Sequence, residues 1–171
     1  MSVRAILAEF ENEAGTTRRV LERVPGDKLS WKPHPKSMSL GQLALHTATA
    51  PAVICGWAAE DLTEFKGSGG PPPPDTTSEI LTAHDKSVVE AKRILGGMTE
   101  EELQKTWEAK MGGTTLMTMR KAVLVRTLVL NHWYHHRGQL SVYLRLLDVP
   151  VPSIYGPSAD ENPFAARMEQ P

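Results

Sequence analysis

The sequence has 171 residues, 40% of them hydrophobic and 23% charged, which excludes a disordered chain and suits one domain spanning residues 1–171. Its 19 basic and 20 acidic residues give a formal net charge of −1, with no Lys/Arg cluster longer than two, so we expect no nucleic-acid partner. The single cysteine, Cys55, excludes an internal disulfide, and the absence of a signal-peptide pattern or a long apolar run predicts a cytoplasmic protein with no membrane partner.

Apolar residues at three- and four-residue spacing predict two helices in the first third of the chain. The first begins after Ser2, whose hydroxyl suits an N-cap, and stops near Pro25-Gly26. The second begins at a capping box made by Ser39 and Gln42. Pro51 interrupts its apolar stripe, and we expect a kink or a local break there rather than the end of the helix.

The second half of the chain predicts two more helices. One spans about 77–95 and is closed by a pair of glycines, and the longest spans about 119–148. Between them, 106–111 and 114–118 flank a second glycine pair and predict a small β-hairpin. Since no run typical of a buried strand is present, the fold class predicted is all-α: a four-helix bundle with a small hairpin or irregular insertion before the last long helix.

The last predicted helix carries the main chemical signal, the stretch 131–139, NHWYHHRGQ. Its core positions step through Val125, Val129, His132 and His136, so two imidazoles stand where Leu or Val would be usual. A buried nitrogen without a hydrogen bond costs about 1–3 kcal/mol, so these rings need polar partners. Two histidines one helical turn apart can bind one metal ion, as His-x-x-x-His pairs do with zinc.

His46, at the edge of the apolar stripe on the second helix, is the candidate third ligand. Three imidazoles leave a coordination position for water, which is typical of catalytic rather than structural metal sites. The alternative is that His46 only hydrogen-bonds a backbone carbonyl at the edge of the core. His135 competes with His136 because it also lies one turn from His132, but the core positions favour His136.

Two further histidines are weaker candidates. His84 could supply a fourth ligand or a general acid or base, although its neighbours Asp85 and Lys86 favour a solvated face. His34 lies between prolines in a loop. The predicted ligand set includes neither residue.

The pattern HxxxHRGQ at 132–139 resembles the signature of the DinB-like, or DinB/YfiT, four-helix-bundle superfamily of metalloproteins. The stretch 29–46 and the tail 152–161, PSIYGPSADE, are similar to other parts of that pattern. The resemblance implies an up-up-down-down bundle, often a homodimer, that binds nickel or zinc. Carried over, the metal ligands are His46, His132 and His136. Arg137 and Gln139 match the remaining motif positions, and we expect Arg137 to bridge helices or pair with a carboxylate.

Three functions remain open. Superfamily members include transferases that use bacillithiol, mycothiol or glutathione, so the resemblance implies a metal-dependent S-transferase acting on a small molecule in detoxification or stress response. The open coordination position alone would also permit a metal-dependent hydrolase. The third function is non-enzymatic, a metal-binding sensor, store or interaction module.

Overall fold

The computed structural model describes residues 2–67 and 72–165, which fold into four long helical stretches and three short strands. The elements in chain order are α1 (Val3–Leu21), α2 (Leu40–Ala59), β1 (Leu62–Glu64), α3 (Thr77–Gly97), α4 (Glu100–Gln104), β2 (Thr106–Met111) and β3 (Thr114–Arg120). The last stretch is continuous and has three parts: α5 (Lys121–Leu124), a π-helical segment (Val125–Asn131) and α6 (His132–Leu146). None of the helices described is long and apolar enough to cross a lipid bilayer.

The start of α2 follows directly from local sequence chemistry. Ser39 Oγ accepts a hydrogen bond from the Gln42 N–H at 3.2 Å, and Gln42 Oε1 accepts one from the Ser39 N–H at 2.9 Å. Both partners of the predicted capping box are therefore present. Pro51 lies inside α2, which continues beyond it to Ala59. The predicted end of α1, near Pro25-Gly26, was too late in the sequence, because the helix ends at Leu21.

The prediction of an all-α fold was wrong, because the chain contains a three-stranded mixed sheet with strand order β1-β2-β3. The β2–β3 hairpin was expected, and its turn residues Gly112 and Gly113 adopt positive φ angles of 56° and 79°. The strand that was missed is β1, which pairs in parallel with β2. Three residues are too few to show the two-residue alternation of a strand, and the β1–β2 pairing is distant in sequence.

The sheet forms part of the core rather than a separate insertion. Trp107 and Ala109 on β2 are fully buried and belong to the same apolar cluster as Phe10, Ile54 and Trp133. Alternate residues of β2 therefore pack against the helices, as expected for a sheet with one covered face. The fold is a helical bundle whose core is completed by the sheet.

The interior contains two apolar clusters, and both α2 and α6 pass through them. One cluster contains Leu43 of α2 and Leu140 of α6, and the other contains Ala50 of α2 and Trp133 of α6. Along the chain, His46 lies between Leu43 and Ala50, and His136 lies between Trp133 and Leu140. The two helices therefore carry their histidines to the boundary between the two clusters.

Candidate metal centre

Three histidine side chains converge between α2 and α6, and they are the three that sequence analysis selected. The ligand atoms of His46, His132 and His136 all lie within 4.8 Å of one another. His132 Nε2 is 2.8 Å from His136 Nε2 and 3.5 Å from His46 Nε2. The rings meet edge-on, at interplanar angles of 80°, 88° and 79°. We call this group the histidine cluster.

The π-helical segment that precedes His132 sets the orientation of the cluster. The His132 N–H bonds to the carbonyls of Thr127 and Val129, five and three residues earlier, instead of the carbonyl four residues earlier that a regular α-helix would use. A π turn holds an extra residue and shifts the register of all that follows, and such turns are frequent at functional sites. Sequence analysis missed this segment, since its apolar spacing also fits a regular helix.

Burial keeps the cluster uncharged. His46 and His132 are partly buried and His136 is 9% exposed. In each ring burial is the main cause that lowers the pKa, and the charges of neighbouring histidines lower the pKa further. The rings are therefore neutral near pH 7, and neutral imidazole is the form that binds a metal ion.

The two α6 histidines differ in what contacts their second ring nitrogen. His136 Nδ1 lies 2.8 Å from Gln139 Oε1. His132 Nδ1 is buried and has no hydrogen-bond partner among the residues described. The backbone carbonyl of Leu128, in the π-helical segment, raises the pKa of His132 and so opposes the effect of burial. It does not meet the geometry of a normal hydrogen bond with His132 Nδ1.

The donor set and its spacing fit a small divalent cation. Nitrogens bound to one tetrahedral zinc ion at about 2.0–2.1 Å are about 3.3 Å apart, close to the 3.5 Å between His46 and His132. The 2.8 Å between His132 and His136 is a hydrogen-bond distance, so these rings would separate by about 0.5 Å around a metal ion. Among the residues described, the group consists of these three histidines alone, so a tetrahedral ion held by them would have one coordination position open.

The remaining candidate histidines lie outside the cluster. His135 is exposed, with its ring centroid 5.0 Å from that of His136. The expectation of a solvated His84 was wrong, because it is 2% exposed and its ring lies 6.3 Å from that of Trp133. Consecutive helical residues point about 100° apart, so the charged residues that follow His84 did not indicate which face of the helix His84 occupies. His34 is exposed in its loop.

Arg137 points away from the cluster, into a buried polar group against α1. Its Nη1 lies 2.6 Å from Glu13 Oε2 and donates to Thr17 Oγ1 at 3.1 Å, and its Nη2 donates to the Tyr155 hydroxyl. Tyr155 in turn donates to Glu13 Oε2 at 3.0 Å. We call Arg137, Glu13, Thr17 and Tyr155 the arginine cluster. Arg137 thus bridges helices and pairs with a carboxylate, as expected, although the sequence did not indicate which one.

Comparisons with known proteins agree with this architecture. YrdA, an uncharacterized protein of Bacillus subtilis (strain 168), is 27% identical over 161 residues, which cover 91% of this chain and 89% of YrdA. A DinB-like protein from Bacillus cereus ATCC 10987 has a similar structure, with a TM-score of 0.71 and 23% identity over 90% of this chain and 98% of that one. The DinB-like protein YjoA of B. subtilis has a TM-score of 0.67 at 21% identity, over 88% and 97% of the two chains. The sequence model of the DinB family matches residues 1–168, and the chain therefore belongs to the DinB family.

Proposed function

We propose that the protein binds one divalent metal ion, zinc or nickel, through His46, His132 and His136. The observation that carries this proposal is the convergence of three imidazoles whose ligand atoms lie within 4.8 Å of one another. Imidazole suits zinc and nickel alike, so the donor set supports either metal. Hydrogen bonding among the rings would also account for the cluster without a metal, and elemental analysis distinguishes the two explanations.

We further propose that the centre serves a transferase that uses a low-molecular-weight thiol and a small electrophilic substrate. Three neutral ligands leave the full charge of a divalent ion uncompensated, which favours an anionic fourth ligand such as a thiolate. A metal bound there would lower the pKa of the thiol, and the free thiolate is the nucleophilic form. In the reaction the sulfur forms a bond to an electrophilic carbon, the bond from that carbon to the leaving group breaks, and the thiol proton goes to solvent.

The metal proposal is tested by elemental analysis of protein loaded with zinc or nickel and freed of excess metal. Wild type is expected to retain one ion per chain and His132→Ala to lose it. His135→Ala is the matched control, because its ring lies beside the cluster but outside the group of ligands. A His132→Ala protein that still retains one ion per chain contradicts the proposed ligands.

The transferase proposal is tested with chlorodinitrobenzene and each of glutathione, bacillithiol and mycothiol. Chloride release that requires both thiol and metal, and that His132→Ala abolishes, supports it. No activity with any of the three thiols refutes it. Turnover of esters or amides without thiol would identify a hydrolase instead, and metal retention without either activity would identify a non-enzymatic metal-binding protein.

A further inference from the structure

We infer that Gln139 is a positioning residue of the metal centre: its side-chain carbonyl accepts a hydrogen bond from His136 Nδ1–H and so keeps His136 Nε2 free to bind the metal. This inference rests on the proposed metal centre. Gln139 follows His136 by three residues on α6, so both side chains lie on one helix face. The atoms concerned, His136 Nδ1 and Gln139 Oε1, are 2.8 Å apart.

The hydrogen-bond chemistry of the two groups decides which nitrogen carries the proton. A neutral imidazole has one N–H and one bare nitrogen, and the partner of one nitrogen fixes the state of the other. The Gln139 carbonyl oxygen can only accept, so it selects the tautomer protonated at Nδ1. If the Gln139 amide group faced the ring instead, His136 would carry its proton on Nε2, where a metal ion must bind.

The contact between His132 and His136 is compatible with this assignment. With Nε2 of His136 bare, the 2.8 Å contact between the two rings requires His132 Nε2 to donate. His132 Nδ1 is then bare, which agrees with its lack of a partner among the described residues. The opposite tautomer of His132, with its proton on Nδ1 toward the Leu128 carbonyl, is the one that a bound metal would require, but in the metal-free protein it would bring two nitrogen lone pairs together.

The test compares two substitutions of Gln139. Gln139→Leu removes the acceptor at similar volume, and Gln139→Glu keeps an oxygen that can only accept. We expect Gln139→Leu to weaken Zn²⁺ binding about 10- to 100-fold, as loss of an outer-shell partner typically does, and Gln139→Glu to bind at least as tightly as wild type. The dissociation constant is measured by competition with a chelating indicator. Gln104→Leu, the same change at an exposed position of α4, is the control and should have no effect on Zn²⁺ binding.

The metal-free protein supplies a second measurement. Ring nitrogen-15 NMR should show His136 protonated at Nδ1 in wild type and a mixture of tautomers in Gln139→Leu, with unchanged thermal unfolding because Gln139 is exposed. The inference is wrong if Gln139→Leu binds zinc within twofold of wild type, if Gln139→Glu is equally impaired, or if His136 is protonated at Nε2. If wild-type binding does not depend on the three histidines, the proposed function fails as well, and the NMR result still decides the tautomer.

Discussion

His136 and Arg137 are adjacent on α6, yet the two clusters to which they belong are built in opposite ways. Arg137 is 1% exposed and faces α1, where its charge is balanced by Glu13. His136 faces α2, where the histidine cluster brings together like groups whose nitrogens contact one another. One cluster pairs donors with acceptors and opposite charges. The other brings together three imidazoles with no opposite charge among them.

The difference shows how a buried polar group of structural importance is distinguished from a candidate binding site. In the interior, polar groups that serve the fold are paired with protein groups, because an unpaired one destabilises the native state. The histidine cluster contains no opposite charge, and its nitrogens contact one another instead. The two clusters should therefore respond oppositely to substitution: the arginine cluster through folding stability, the histidine cluster through metal affinity.

The largest effect on stability is expected from Glu13→Gln. It preserves volume but leaves the buried guanidinium of Arg137 without its counter-charge, which typically costs about 3–5 kcal/mol. Urea denaturation of metal-free protein measures the loss, and Zn²⁺ affinity at low denaturant should change by less than about threefold. The double variant Glu13→Gln/Arg137→Met should recover part of the stability. A loss of metal binding in a folded single variant would break the distinction between the clusters.

His46→Ala should give the reverse result. Removal of one of three ligands should weaken Zn²⁺ binding by more than about 100-fold, or about 2.7 kcal/mol, which exceeds the usual effect of an outer-shell change. The free energy of unfolding of the metal-free variant should lie within about 1 kcal/mol of that of wild type, because His46 is only partly buried and has no opposite charge in the cluster. Competition titration and urea denaturation on the same samples test both parts. A large loss of stability with unchanged Zn²⁺ affinity would contradict the assignment of His46 as a metal ligand.

His84 should make the metal-free protein sensitive to acid. Burial lowers its pKa more than Asp85 raises it, so the folded state favours the neutral ring. Above about pH 6.5 His84 is neutral in both states; as the pH falls below that value the unfolded state gains the proton more readily than the folded state, and stability decreases. Between pH 7.5 and pH 5, the free energy of unfolding of His84→Leu, measured by urea denaturation, should fall by about 1 kcal/mol less than that of wild type. The exposed His34→Leu is the control, and an unchanged loss in His84→Leu would contradict the assignment.

The smallest effect is expected at the capping box. Ser39→Ala removes the side-chain acceptor of the Gln42 N–H and should destabilise the protein by about 1 kcal/mol. Because α2 also carries His46, the substitution tests whether loss of stability alone alters the centre. Zn²⁺ affinity should remain within about twofold of wild type, with Ser141→Ala as the control on α6. A parallel loss of affinity would mean that the two properties are coupled through α2.

Features encoded within a few residues were predictable, and features made by distant pairs were not. The Ser39–Gln42 cap, the glycine turn of the hairpin and the four-residue spacing of His132 and His136 are local signals. His46 lies 86 residues from His132, so a single helix pattern could not establish their proximity, and the family resemblance selected it instead. The β1–β2 pairing and the choice of Glu13 by Arg137 are likewise long-range contacts without a local signature.

The π-helical segment sets the rotation of α6 about the helix axis relative to the earlier half of the last helical stretch. It amounts to one residue more than a regular α-helix needs, so deleting a residue within Val125–Asn131 would leave the earlier half in place and turn α6 by about 100°. That rotation is the angle between His136 and Arg137, the residues that face the two clusters. The extra residue of the π-helical segment therefore determines whether α6 presents His136 or Arg137 to α2.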